Sequence, residues 1–202
     1  VTENGVQFAT YLNEGLMTGI FLDQKEVRGR LVDGFAVGKT VLNMFSYTGA
    51  FSVAAAMGGA VATTSVDLAK RSLPKTTEQF EVNHLNLAPQ KIIVMDVFDY
   101  FKYASRKGLS YDMIILDPPS FARNKKKVFS VAKNYGELVK DSIDILTDKG
   151  TLIASTNAAN LSLAKYKKMV ITALQEKNVR YKITDTYQLP ADFQVNPNFP
   201  EG

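Results

Sequence analysis

Asp117 directly follows the apolar run Met113-Ile114-Ile115-Leu116 and precedes Pro118-Pro119-Ser120-Phe121. Two prolines stiffen the chain and leave carbonyl oxygens with no competing N–H donors, so this stretch sets fixed acceptors, one carboxylate and one aromatic ring beside a ligand. Three other stretches share the design of an apolar run ending in polar residues. Asn43-Met44-Phe45-Ser46-Tyr47-Thr48-Gly49 leads into the small-residue segment Val53-Ala54-Ala55-Ala56. There Gly49 permits close backbone approach, and the helix start behind it exposes N–H groups to an anion. The turn holds neither the G-x-G-x-x-G run of a dinucleotide site nor G-x-x-x-x-G-K-[ST], so a nucleoside carrying a carboxylate fits better than a pyrophosphate. Asp67, after Ala62-Thr63-Thr64-Ser65-Val66, could accept from both hydroxyls of a ribose or cap a helix starting near Leu68, and the two roles are compatible. Asp96-Val97-Phe98, after Ile92-Ile93-Val94-Met95, suits an amino-bearing heterocycle packed against apolar neighbours, or a second helix cap with Phe98 and Phe101 in the core.

These stretches need a scaffold that places them side by side. The apolar runs at 41–45, 60–66, 91–95, 113–116 and 151–154 read as buried strands. Between them lie helical spacings such as Tyr135, Leu138, Val139, Ser142, Ile145 and Leu146. Strand alternating with helix predicts a parallel sheet covered on both faces, a doubly wound α/β domain. Ligands in such sheets bind outside the carboxyl ends of the strands, where all four stretches fall. Ahead of the core, residues 5–12 and 18–22 read as a β-hairpin turning at Asn13-Glu14-Gly15, and Asp23 reads as the cap of a helix through Phe35. Residues 160–177 read as a helix, 180–189 as a further strand that could run antiparallel, and 188–202 as an irregular, proline-bearing tail.

The 202 residues, 46% hydrophobic and 22% charged, suffice for one domain with a sizeable core. No run reaches the roughly 20 apolar residues of a membrane span, and no signal-peptide pattern opens the chain, so a cytoplasmic location is expected. Cysteine is absent, which removes disulfides, zinc–thiolate sites and thiolate nucleophiles. No metal site is expected. A net charge of +4 permits a nucleic-acid partner without demanding one. Beginning at Val1 and ending in Pro200-Glu201-Gly202, the chain reads as a trimmed piece of a longer protein.

Taken together the four stretches resemble the class I S-adenosylmethionine-dependent methyltransferases, and Asp117-Pro118-Pro119 is similar to the Asp-Pro-Pro motif of enzymes that methylate nucleic-acid bases. Thr18-Gly19-Ile20-Phe21-Leu22-Asp23-Gln24, then Phe45-Ser46-Tyr47-Thr48-Gly49-Ala50-Phe51-Ser52, then Asp117-Pro118-Pro119-Ser120-Phe121-Ala122 with lysines 125 to 127, resemble the large-subunit ribosomal RNA methyltransferase family. That family includes cytosine carbon-5 enzymes and a guanine N7-methylating domain. The resemblance runs over nearly the whole chain. It implies a Rossmann-like, doubly wound, mostly parallel seven-stranded sheet, with residues 1–22 as a hairpin extension and 23–202 as the methyltransferase domain. It implies S-adenosyl-L-methionine as cofactor, held by Phe21, Asp23, Asn43, Phe45, Ser46, Tyr47, Thr48, Gly49, Asp67, Leu68, Asp96, Val97 and Asp117. It also implies an RNA-binding domain ahead of Val1.

On this reading Asp117, Pro118, Pro119 and Phe121 are catalytic, with Asp117 and the Pro118 carbonyl on the edge of the target base and Phe121 stacked on a flipped one. Arg123, Lys125, Lys126, Lys127 and Asn157 are the expected RNA contacts, although a short lysine run also reads as a solvated loop. Lys25, Arg28 and Arg30 on the early helix lack that neighbourhood. Family members that methylate cytosine carbon 5 use a cysteine after the fifth strand, where this chain reads Ala154-Ser155-Thr156-Asn157. A ring nitrogen, which already carries a lone pair, is therefore the expected acceptor on ribosomal RNA. The alternatives are a methyltransferase-fold protein acting on a protein or small molecule, and a non-catalytic RNA-binding domain.

Overall fold

The computed structural model describes residues 1–13, 18–123, 128–158 and 161–194. Two-residue strands β1 (Thr2–Glu3) and β2 (Val6–Gln7) pair antiparallel at the start. A helical run follows, as a 3-10 turn Leu22–Gln24, α1 (Lys25–Arg30) and a wide turn Leu31–Phe35 that kinks at Gly34, φ 95°. Then come β3 (Thr40–Met44), α2 (Ala50–Met57), β4 (Ala62–Asp67), α3 (Ser72–Glu81), β5 (Gln90–Val94), α4 (Val97–Arg106) and β6 (Tyr111–Leu116). A short antiparallel arm, β7 (Phe121–Arg123) with β8 (Val128–Ser130), precedes α5 (Val131–Asp144), β9 (Leu146–Ala154) and α6 (Leu163–Glu176).

The central sheet is parallel throughout, in the order β5-β4-β3-β6-β9. From β3 the chain winds outward through β4 and β5, then returns to the other side of β3 with β6. Strand order therefore reverses between β3 and β6. Period-two alternation splits the strands between two cores. Leu42, Met44, Ile114 and Leu116 pack with residues of α4, α5 and α6, whereas Val41, Met113 and Ile115 pack with Val27, Leu31 and the α2 residues Phe51, Ala54 and Ala55. Helix α2 is apolar around most of its circumference and is correspondingly buried.

The doubly wound reading holds, with five strands in the sheet rather than seven. Residues 180–189 form no ladder, because no strand among the described residues pairs with the outer edge of β9, and residues 181–188 are exposed along their whole length. An open cleft of about 1540 Å³ separates that segment from the β9 edge. The hairpin is also smaller and earlier than expected. Its strands are β1 and β2, and the expected pairing of 5–12 with 18–22 reduces to one backbone hydrogen bond, Tyr11 N–H to the Thr18 carbonyl at 2.7 Å. Glu14 and Gly15 of the expected turn lie outside the described residues, as do residues 195–202 of the tail.

Side chains on α3 and in the turn just after it, rather than residues 18–22, hold most of the extended stretch 7–11 beyond its pairing with residues 1–2. Gln79 and Asn83 sit one turn apart, and each side-chain amide both donates to and accepts from the backbone of one residue, Ala9 and Gln7, at 2.7–2.9 Å. Two side-chain carboxamides, one glutamine and one asparagine, thus replace a β-ladder, and Val6 and Phe8 turn into the core.

Candidate active site

Register brings the four stretches to one rim. Met44 pairs with Val66 and Leu116, Asp67 with Val94, and Leu116 with Ala154, so the residues after β3, β4, β5, β6 and β9 stand in a row. The order reversal between β3 and β6 opens the crevice between Phe45 to Gly49 on one side and Asp117 on the other.

The turn after β3 carries unusual backbone. Phe45 and Tyr47 have φ of 59° and 51°, and Gly49 has φ of 78° as the N-cap of α2. For a residue with a Cβ the left-handed region costs about 1–2 kcal/mol, so the two aromatics must be held there. Asp67 holds one of them, since one carboxylate oxygen accepts the Tyr47 N–H at 2.9 Å and the other accepts the Ala69 N–H at 2.8 Å. The Ser46 N–H donates to the Val66 carbonyl. Thr48 donates its buried hydroxyl to the Gly19 carbonyl at 2.6 Å, tying the turn to the N-terminal segment. That hydroxyl is used internally. Asn43 is also turned inward, fully buried with its amide on Ser52 Oγ at 3.0 Å. Ser46 Oγ is buried and has no hydrogen-bond partner. An orphaned hydroxyl beside the open start of α2 fits a polar ligand group there.

Asp67 makes an Asx turn rather than capping α3, which starts only at Ser72. Each of its oxygens keeps a lone pair that a ligand hydroxyl could use. Leu68 is half exposed. Asp96 caps α4 by accepting from the N–H groups of Phe98 and Asp99, while Val97 sits in the main core. Phe45 and Phe98 both pack on Phe129 of β8, at 5.9 and 6.1 Å between ring centres, which roots the arm beneath the site.

Phe21 and Asp23 close the crevice from the N-terminal side, with the Phe21 ring 5.4 Å from that of Tyr47. Asp23 lies inside the 3-10 turn, whose N-cap is Phe21, so it is not the helix cap expected from sequence. Burial raises its carboxyl above the ordinary 3.8, against its own backbone hydrogen bond and the nearby Arg28 charge. Arg28 is buried, pairs through two nitrogens with Glu3 at 2.7 and 2.9 Å, and donates to the Phe21 carbonyl at 2.8 Å. A cation to which the sequence assigned no role thus holds this wall.

Asp117 is the most perturbed carboxyl of the site. Burial pushes it to about 6; the Ser155 hydroxyl bonded to Oδ1 at 2.6 Å opposes this, the Asp23 charge adds to it, and Arg28 pulls it back. Gln24 Nε2 approaches the same oxygen at 3.4 Å. Pro118 is buried and Pro119 exposed. Phe121, 61% exposed, begins the arm beyond them. Ser120 donates to Asn157 Oδ1 at 2.9 Å, joining the turns after β6 and β9 at the mouth. Arg123 ends β7, and Lys125, Lys126 and Lys127 lie outside the described residues.

Sequence reasoning read Ser155 only as standing where a cysteine would be and set Arg28 aside, and it gave no site role to Gln24 or to the Tyr135 and Tyr166 pair behind Ser155. For Ser155 a signal existed, a hydroxyl directly after the fifth apolar run. Nothing local marks Arg28, whose partner Glu3 is fixed only by tertiary structure. The wide cleft along β9 touches this site at Phe21, Asp23 and Ser155, and it is a consequence of the unpaired edge rather than the crevice between β3 and β6.

The S-adenosylmethionine-dependent methyltransferase family matches residues 1–181. YwbD of Bacillus subtilis (strain 168), provisionally named a ribosomal RNA large subunit methyltransferase, is 57% identical over all 202 residues, which cover 51% of its length. Ribosomal RNA large subunit methyltransferase K of Neisseria meningitidis serogroup B is 34% identical over 196 residues, 96% of this chain and 53% of its own. The crystal structure of SMU.776 complexed with SAH matches with a TM-score of 0.92 at 57% identity, over 97% of this chain and 51% of that one. The chain spans about half the length of these relatives.

Proposed function

The chain belongs to the S-adenosylmethionine-dependent methyltransferase family, and from that premise we propose that it methylates a base of large-subunit ribosomal RNA, at a ring nitrogen rather than at carbon 5 of cytosine. Bound S-adenosylmethionine supplies an electrophilic methyl group on a sulfonium. The chain's own residues then have to align the acceptor, exclude water and balance charge. One observation carries this reading. At the strand-order reversal, a carboxylate and a stiff proline turn face a loop held in strained backbone with an unpartnered hydroxyl, the layout for a nucleoside donor on one side and a planar acceptor on the other.

In this reading Asp117 and the Pro118 carbonyl orient the base edge, and the ionised carboxylate stabilises positive charge on a ring alkylated at nitrogen. Phe121 is the surface for a base drawn out of its helix. Arg123, the lysines joining β7 to β8, and Asn157 meet the phosphates. The absence of cysteine throughout the 202 residues removes the thiolate that would add to cytosine. The names of the relatives support RNA of the large subunit as the substrate class. The test is transfer of a labelled methyl group to ribosomal RNA from a strain lacking the gene, with mass spectrometry of the nucleosides. A nucleoside methylated at a ring nitrogen is expected. 5-Methylcytidine would overturn the choice of atom, and no labelled RNA would overturn the substrate class.

A further inference from the structure

The hydroxyl of Ser155 has one proton and two acceptors within reach. Its Oγ lies 2.6 Å from Asp117 Oδ1 and 3.1 Å from the Leu116 carbonyl oxygen, and a single O–H donates well to only one of them at a time. We propose that Ser155 is a positioning residue that turns its proton between Asp117 and Leu116, so that the site accommodates both the ionised and the protonated Asp117 without moving a heavy atom. With Asp117 ionised, the serine donates to Oδ1. With Asp117 protonated, the carboxyl donates to Ser155 Oγ, and the serine proton turns to the Leu116 carbonyl. Each donor has an acceptor in both states.

The surroundings fix everything except that rotation. The Ser155 N–H donates to the Leu116 carbonyl at 2.9 Å. The Ser155 carbonyl accepts from the hydroxyl of fully buried Tyr135 at 2.9 Å, which in turn accepts from Tyr166 at 2.6 Å. Burial keeps both phenols protonated far above neutral pH. The charged and titratable groups facing Asp117 are Asp23 in the 3-10 turn, Arg28 on α1, Tyr135 on α5 and Tyr166 on α6. Both donors to Asp117, Ser155 and Gln24, reach Oδ1. No donor among the described residues reaches Oδ2, which leaves that oxygen for the acceptor base. Ser155 therefore holds the direction of the free oxygen and lowers the pH at which the buried carboxyl ionises. The inference rests on Asp117 facing the acceptor, as in the proposed function.

The experiment labels aspartate carboxyls with carbon-13 in the intact chain and follows Asp117, assigned by its absence in Asp117→Asn, through a pH titration. Ser155→Ala removes the hydrogen bond of both states, and because the one to the ionised carboxylate is the stronger, the midpoint is expected to rise by about one unit, and the acid limb of methyl transfer should move with it. Ser155→Thr, which keeps the hydroxyl, should keep the midpoint. An unchanged midpoint in Ser155→Ala would reduce Ser155 to a packing residue and overturn the inference. Should that variant not fold, Ser155→Cys, of similar size but a weaker donor, is expected to shift the midpoint in the same direction by less, and no shift there refutes the idea equally. If wild-type protein transfers no methyl to RNA, the functional reading fails while the titration still decides the role of Ser155.

Discussion

Asp117→Asn should make the protein more stable and nearly inactive, and the gain should depend on pH. On folding, burial moves the Asp117 carboxyl from 3.8 to about 6. One pKa unit corresponds to about 1.36 kcal/mol, so a shift of roughly two units is worth about 3 kcal/mol. The folded chain binds more protons than the unfolded chain between about pH 4 and pH 6, so this group's contribution favours folding at the acid end and is lost as pH rises through that window. Below pH 4 both states carry the proton, and above pH 6 the folded protein bears the whole cost of a buried charge. Asparagine removes the charge and keeps an oxygen for Ser155. Urea unfolding should therefore give Asp117→Asn an advantage of up to about 3 kcal/mol at pH 8, shrinking to near zero at pH 4. Transfer should fall about 100-fold or more, the loss typical when a group that meets developing charge is neutralised. A stability difference that is constant with pH, or larger at pH 4, would show that Asp117 holds no unfavourable charge and would refute the reasoning.

Three further outcomes are expected. Arg28 and Glu3 are 2% and 8% exposed, so Arg28→Met or Glu3→Gln alone should cost about 3–5 kcal/mol in urea unfolding, with the double variant well short of the sum; strictly additive losses would show the pair is uncoupled. Gly49→Ala forces a side chain into left-handed backbone and places its Cβ 2.4 Å from Thr76 Cγ2, so calorimetric titration should show S-adenosylhomocysteine binding weakened by about tenfold or more, in line with roughly 1–3 kcal/mol of overpacking; unchanged affinity would remove the turn from the pocket. Phe121→Ala, on an exposed ring, should leave stability within about 0.5 kcal/mol and donor affinity unchanged, yet reduce kcat/KM for RNA about tenfold, as the loss of one stacked base requires; an undiminished value would exclude stacking there.

Strand positions were legible because five short apolar runs have no competing explanation, and β3, β4, β5 and β6 fall within two residues of where sequence places them. Those strand ends in turn located Asp67, Asp96 and Asp117, since parallel strands share one carboxyl rim. Illegible were features set by partners far away in sequence. Residues 180–189 alternate like a strand, but a strand requires a ladder, and β9 leaves its outer edge unpaired among the described residues. Residues 7–11 look like half a hairpin, yet side chains on α3 hold them. Arg28 carries no signal of a role in the sequence until Glu3 of β1, 25 residues earlier, pairs with it in the fold. Left-handed φ at Phe45 and Tyr47 has no composition signal, since neither residue type favours it.

Those distant partners also bear on how the site is built. Residues 1–22 look separable by sequence, but their contacts reach α1, the turn after β3 and α3. Glu3 neutralises Arg28, which holds the Phe21 carbonyl. Gly19 accepts from Thr48 in the strained turn, and Gln7 and Ala9 lie on α3, whose Thr76 packs against Gly49. Each bond links the N-terminal segment to a different element, and those elements meet one another only in the completed sheet. Strain at Phe45 and Tyr47 can persist only where such bonds over-determine the backbone. The Phe45–Gly49 side of the crevice is thus a product of the whole α/β fold together with its first two dozen residues, whereas Asp117 and Ser155 stand on neighbouring strand ends, after β6 and β9, and meet the N-terminal part of the chain through Gln24 and the charges of Asp23 and Arg28. On the proposed function, perturbing residues 1–22 should therefore act on binding of the methyl donor before the acceptor, because the bonds it breaks lie on the Phe21 and Phe45–Gly49 side of the crevice.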